Sequence, residues 1–291
     1  MNSDPSSSYQ ISHEKIVLRL KILDLDSLFI HEEIIPEMLN FLAESIKNDN
    51  LVKHPIIVDE NSLVVLDGMH RVAALRKIGY ERIPVCLVDY KNPNIKVRSW
   101  YRTLKGNNIH EKMMETAKKL GLTLKKDEES NKTRIGKENF VLGFKDNNGF
   151  YLARGLFRDL KEAYDLVKLV EESLKSFGLE VGHETESDAA RKFDQGLVDA
   201  IILTPKLSKE DIVNTALSGT VFSYKATRHI IPARPLYVNV PLKLLNKRNH
   251  TLEEANEKFR QMLLKKHLKM VSAGSLLEGR RYEEDVYIFE D

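Results

Sequence analysis

An α/β (α+β) fold in two domains is what this 291-residue chain predicts. Three observations carry that expectation. Short apolar runs are interleaved along the chain with longer segments whose apolar residues recur at helical spacing. A polar Gly/Asn break, Leu104-Lys105-Gly106-Asn107-Asn108, interrupts the pattern. The length suits two modest cores of ordinary domain size. The boundaries drawn are 1–105, 106–245, and a C-terminal helical extension over 246–291.

Residues 1 to about 15 are polar and Ser-rich, so a mobile tail or a loosely attached strand is expected there. The run Ile16-Val17-Leu18-Arg19-Leu20-Lys21-Ile22-Leu23 alternates as a strand does. Ile35, Met38, Leu39, Leu42 and Ile46 then recur at helical spacing. Ile56-Ile57-Val58 and Leu63-Val64-Val65-Leu66 flank a polar tetrapeptide and read as a β-hairpin. A helix follows from about Met69 to Ile78, closed by Gly79, and a strand returns over 83–88. Beyond the break, helices are expected at 110–120, 158–177, 186–195 and 208–218. Strands are expected near 139–144, 149–153, 179–183, 198–203 and 236–240. Residues 251–271 read as one basic amphipathic helix docked on the core with a solvated lysine face, in preference to a membrane or calmodulin-like role.

Composition narrows the function classes. Forty-five Lys plus Arg stand against 43 Asp plus Glu, a formal charge of +2, so the bulk basic field of a non-specific nucleic-acid binder is missing and any anion site must be local. The single cysteine, Cys86, lies in the apolar run Ile83-Pro84-Val85-Cys86-Leu87-Val88. It forms no disulfide framework and reads as a small hydrophobe in a buried strand. Neither a signal-peptide stretch nor eighteen consecutive apolar residues occur, which points to a cytoplasmic protein with no membrane partner. High Lys and Glu with little Cys is compatible with a thermophilic source.

Three clusters could carry chemistry. In Leu66-Asp67-Gly68-Met69-His70-Arg71-Val72 a strand turns at Asp-Gly straight into a helix. The backbone N–H groups of Gly68, Met69 and His70 would face an anion at that helix start, with His70 and Arg71 as further donors. Spacing alone leaves two readings: a phosphate cradle, or a helix capped by Asp67. Lys225-Ala226-Thr227-Arg228-His229-Ile230-Ile231-Pro232 sets a hydroxyl, a guanidinium and an imidazole side by side. That trio suits a carboxylate or phosphate, and it equally suits an ordinary loop entering a strand. His31-Glu32-Glu33 offers a general base, or a carboxylate pair at a helix start that merely favours the dipole.

Residues 50–58, 65–79 and 83–85 together resemble the ParB/sulfiredoxin-like nucleotide-binding fold, whose hallmark is a Gly-containing turn into a helix with Arg near its start. Within that superfamily the chain resembles the free L-serine kinases of archaea, over roughly residues 18–245. His31-Glu32, Asp67 to Arg71, Ser99-Trp100-Tyr101, Gly196 to Ile202 and Thr227 to Pro232 follow one another in the family's order. The resemblance implies an N-terminal ParB/sulfiredoxin-like domain, a C-terminal α/β domain and an active-site cleft between them. It implies phosphoryl transfer from ATP or ADP to the hydroxyl of L-serine, with Glu32 as base and Asp67 positioning the reacting groups or Mg²⁺. By the same resemblance, Lys53, Gly68, Met69, His70 and Arg71 would hold the donor, and Trp100, Thr227, Arg228 and His229 would face the amino acid. No sequence-visible Mg²⁺ constellation or Walker-type lysine accompanies them, so the metal ligands and the oligomeric state stay open. Cysteine synthesis is one outlet for the phosphoserine. A ParB-like nucleotide-dependent DNA-binding protein is the competing reading; it lacks a helix-turn-helix segment and a basic domain here. A sulfiredoxin-like reductase needs a reactive thiol, which Cys86 in its strand does not offer.

Overall fold

The computed structural model describes residues 8–291, so the first seven positions of the expected N-terminal tail lie outside the described residues. The chain divides into two compact units. One comprises the chain up to Lys96 with 216–219 and 229–291; the other comprises 97–215 and 220–228.

The first unit is built on a five-stranded sheet in the order Tyr9–His13, Ile16–Asp24, Arg82–Val88, Ile56–Asp59, Val65–Asp67. The Ser-rich start thus leads into a paired strand, Tyr9 lying opposite Leu20. Alternation along Ile16–Asp24 buries Ile16, Leu18, Leu20 and Ile22 on one face. Ile56–Asp59 runs parallel to Arg82–Val88 and antiparallel to Val65–Asp67, which delivers the chain to the helix Met69–Lys77 at the sheet edge. Helix α1 (Pro36–Asp49) opens with Pro at its first turn and packs on α2 (Met69–Lys77). Gly79, at φ +81°, follows the end of α2, and its N–H donates to the Arg76 carbonyl (3.1 Å).

The second unit carries a six-stranded sheet in the order Glu180–Thr185, Trp100–Lys105, Ala200–Leu203, Phe140–Asp146, Gly149–Arg154, Thr123–Asp127, every neighbouring pair antiparallel. Helices α3 (Ile109–Lys119) and α4 (Leu160–Ser176) bury Met113, Val167, Val170 and Leu174 against Leu104, Val141 and Phe144 of this sheet. Helix α5 (Glu186–Asp194) places Ala189 in a second cluster with Leu152, Ile201 and Leu203. Helix α6 (Lys209–Leu217) follows the Ala200–Leu203 strand.

The last segment departs from expectation. Helix α7 (Leu252–Leu264) begins with a capping box between Thr251 and Glu254 and ends seven residues early; His267–Val271 is a strand. Leu268 and Met270 fit either period, and what decides is a non-local partner, the antiparallel strand Asp285–Glu290. That strand also pairs in parallel with Ala233–Leu236, Arg234 lying opposite Val286. Helix α7 docks on Ile16–Asp24 through Asn256. Its side-chain oxygen accepts the Ile22 N–H (2.8 Å) and its amide donates to the Ile22 carbonyl (3.0 Å), satisfying backbone beyond the reach of the first strand.

Candidate active site

The Asp67–Arg71 turn forms as the strand-to-helix pattern predicts. The residue that starts α2 is Gly68, in a left-handed conformation (φ +99°, ψ 23°). Asp67 thus stands one residue before the N-cap position. Its carboxylate meets two arginines: Oδ2 accepts from Arg234 Nη1 (2.6 Å) and lies 3.8 Å from Arg71 Nη2. Arg234 in turn forms an ion pair with Glu284 through its Nε edge, a charge contact rather than an aligned hydrogen bond. Burial opposes the charge of Arg234, and Asp67 and Glu284 more than offset that, raising its pKa. Arg71 folds back over Gly68 and donates through Nη1 to the His54 carbonyl (3.4 Å). His70 Nε2 accepts the Ile35 N–H (3.0 Å), which fixes the ring proton on Nδ1 and ties the start of α2 to the approach to α1. The Lys53 ammonium is paired with Asp49 (3.0 Å) on the surface, while its neighbour His54 accepts the Tyr237 N–H (3.0 Å).

Glu32 and Glu33 precede α1 rather than opening it, the acidic residue of that first turn being Glu37. The dipole reading of the pair therefore loses its basis, because that effect fades within a turn. Glu32 is only 8% exposed. Beside it His31 is fully buried, its Nδ1 donating to the Val65 carbonyl (2.9 Å), and its ring meets His229 edge to face at 5.5 Å. His229 Nε2 bonds the Tyr90 hydroxyl (2.7 Å). Burial lowers the pKa of His31 against the opposing pull of Glu32 and of the Val65 carbonyl. The folded chain therefore refuses a proton that the unfolded chain accepts near pH 6.5, and this contribution to stability is lost as pH falls below about that value. Thermal midpoints measured from pH 8 to 5 are expected to drop more steeply for the wild type than for His31→Gln; equal slopes would remove His31 from the account.

In the second unit, four successive carbonyls hold the segment that leads into Arg228. Arg102 donates to Tyr224 (3.3 Å) and Lys225 (3.0 Å), Tyr164 to Ala226 (3.0 Å), and Trp100 Nε1 to Thr227 (2.9 Å). The Trp100 ring carries the Lys225 ammonium at 4.5 Å and the Arg228 guanidinium at 5.9 Å. Arg102 is anchored by Glu171 (3.2 Å), both fully buried; Glu171 also accepts from Lys175 (2.6 Å), His183 (3.2 Å) and Tyr224. Burial alone would raise the pKa of Glu171, and these four partners drive it well below the usual carboxylate range. Sequence reasoning missed Arg102, Glu171, Arg234 and Glu284. A carboxylate on the inward face of α4 beside Val170 and Leu174, and a lone cation in Ile230 to Leu236, were the available signals; Glu284 had none. Cys86 is buried in its strand, where burial pushes the thiol up to about 12. A thiolate nucleophile is therefore not on offer. Among the described residues, no three His, Cys, Asp or Glu side chains converge as a metal site, and no helix is long and apolar enough to cross a membrane.

No family model matches the chain. An ATP-dependent L-serine kinase of Staphylothermus marinus is 32% identical over 254 residues, covering 83% of this chain and 95% of that protein. The chain belongs to the L-serine kinase family. An ADP-dependent L-serine kinase of Thermococcus kodakarensis is 28% identical over 229 residues, 77% of this chain and 91% of that protein. A solved free serine kinase in complex with AMP superposes with a TM-score of 0.67 at 24% identity, over 81% of this chain and 97% of that one, and shows the shared fold. The family inferred from the ordered motifs is thus the family found, ahead of the DNA-binding reading.

Proposed function

We propose that this chain transfers the terminal phosphoryl group of ATP or ADP to the hydroxyl of free L-serine, giving O-phospho-L-serine. The observation that carries the proposal is the Staphylothermus kinase, matched over nearly its whole length. The glycine-started helix at Asp67–Arg71 supports it, being the kind of terminus that receives phosphate. The serine oxygen attacks the terminal phosphorus, the bond to the bridging oxygen breaks, and Glu32 takes the hydroxyl proton. Gly68, Met69 and Arg71 hold the donor phosphates. His70 fixes the turn, and Lys53 meets the nucleotide once its surface pair with Asp49 opens. Trp100, Thr227, Arg228 and His229 receive the amino acid, Arg228 gripping its carboxylate. Mg²⁺ in such sites is held mainly by phosphates and water with one or two carboxylates, a mode that asks for no cluster of three protein ligands. Asp67 fits as the carboxylate; bound there, the ion would neutralise charge on the transferring group. The enzyme works in the cytoplasm, and its product suits cysteine synthesis.

Incubation with L-serine and ATP, ADP or pyrophosphate, followed by ³¹P NMR, is expected to show O-phosphoserine with at least one nucleotide. No product with any donor would reject the proposal. Arg228→Ala is expected to raise the KM for serine about ten- to a hundredfold while the KM for nucleotide stays within about threefold, since a charged hydrogen bond is worth about 1.5–3 kcal/mol. Equal effects on both substrates would move Arg228 out of the serine site.

A further inference from the structure

The C-terminal segment 246–291 lies outside the stretch that carries the family resemblance, yet it supplies Glu284, which reaches the Asp67–Arg71 turn through a single residue. The charges alternate in a row: Glu284, Arg234, Asp67, Arg71. Arg234 sits in the fully buried strand Ala233–Leu236, and its side chain is 7% exposed, as is nearly true of Glu284 at 8%. A guanidinium so buried needs counter-charge on its donor edges. Its Nη1 edge is answered by Asp67 (2.6 Å) and its Nε edge by Glu284, with the Tyr282 ring 6.0 Å from the guanidinium carbon. Asp67, by contrast, keeps 36% of its side chain exposed. One end of the row is therefore locked in the core and the other is open. The lock is set by β-pairing: Asp285 N–H donates to the Pro232 carbonyl (3.2 Å), and the two strands run in register from Ala233 opposite Asp285 onward.

The geometry points to Glu284 as a positioning residue for phosphoryl transfer. It acts through Arg234 to aim the Asp67 carboxylate and to keep that carboxylate from being the sole counter-ion of a buried cation. This rests on the placement of Asp67 at the phosphoryl-transfer site. With Glu284 in place the row sums to zero charge, and Arg234 is shared between two carboxylates. Without it, Arg234 depends on Asp67 alone, loses the restraint on its Nε edge and can shift together with the carboxylate it holds, and the turn gains net positive charge. The first change misplaces Asp67, where a shift of about 1 Å can cost roughly a hundredfold in rate. The second draws phosphate in more strongly. Rate and nucleotide affinity should therefore move in opposite directions, which a general loosening of the fold would not produce.

The test uses the full chain with Glu284→Gln, Asp67→Asn and the double variant, each checked for folding by circular dichroism. Glu284→Gln is expected to lower kcat about ten- to a hundredfold, while ADP binding by calorimetry becomes about threefold tighter. In the Asp67→Asn background Glu284→Gln should change kcat by less than about twofold, because its path to the chemistry is already cut. Additive losses, or kcat and ADP affinity falling together, would overturn the assignment. Should Glu284→Gln fail to fold, Glu284→Asp carries the same test, with a smaller loss in kcat and unchanged ADP affinity expected. Should the wild type phosphorylate no serine, the kinase reading fails on that arm alone. The ADP titration still decides this one, an unchanged or weakened affinity in Glu284→Gln counting against it.

Discussion

Glu32→Gln is expected to lower kcat by about two to four orders of magnitude, the range a positioned general base contributes. Both substrate affinities should stay near wild type, because the missing interaction develops mainly in the transition state. A serine hydroxyl is barely ionised near neutrality, so a carboxylate in reach both orients the oxygen and takes its proton as the bond to phosphorus forms. Glu32 is suited to that task by its surroundings: nearly buried, beside a neutral His31 that is itself pinned to the Val65 carbonyl. Gln preserves the shape and removes the basicity. Glu33, half-buried and next in sequence, is the internal control, and Glu33→Gln should remain within about threefold of wild type in kcat. Steady-state kinetics on the two variants decides. A dead Glu33→Gln beside an active Glu32→Gln would shift the base by one residue.

What could be read in advance follows the range of the interactions. The Asp67–Arg71 turn was legible because strand, glycine and helix follow one another without a break from Val65 to Lys77, so pattern and local backbone chemistry suffice. The long helices α3 and α4 were legible for the same reason. Arg234 was not, since its meaning comes from Asp67, 167 residues earlier, and from Glu284 on a strand the sequence concealed. Arg102 and Glu171 are 69 residues apart, and their pairing becomes visible only when the sheet and α4 bring them together. His267–Val271 reads by periodicity as part of the preceding helix, because a strand's identity lies in its neighbours, here Asp285–Glu290. The conformation at the turn was not visible from spacing: a left-handed residue, Gly68, stands between Asp67 and the helix.

That same backbone makes Gly68→Val the second large effect. At φ +99° a residue with a Cβ is strained by about 1–3 kcal/mol before any contact is considered. A Cβ there would stand 2.5 Å from Ile56 Cγ2 and 2.6 Å from Arg71 Nη2. Ile56 is completely buried, so it has no room to retreat, and the flexible partner must move instead. The displaced group is the Arg71 guanidinium, and hydrogen bonds from such a group to phosphate are worth about 1.5–3 kcal/mol, or roughly ten- to a hundredfold in affinity. Calorimetry on folded Gly68→Val should accordingly show ADP binding weaker by about that factor, with further loss where the added methyls block approach to the helix N-terminus. Gly68→Ala introduces the same Cβ without those methyls and should fall between wild type and Val. The pair separates the two causes: an Ala variant as weak as Val assigns the loss to the displaced Arg71, whereas a near-normal Ala assigns it to blocked phosphate approach. A folded Gly68→Val protein that binds ADP with unchanged affinity would show that the phosphates do not sit at this turn.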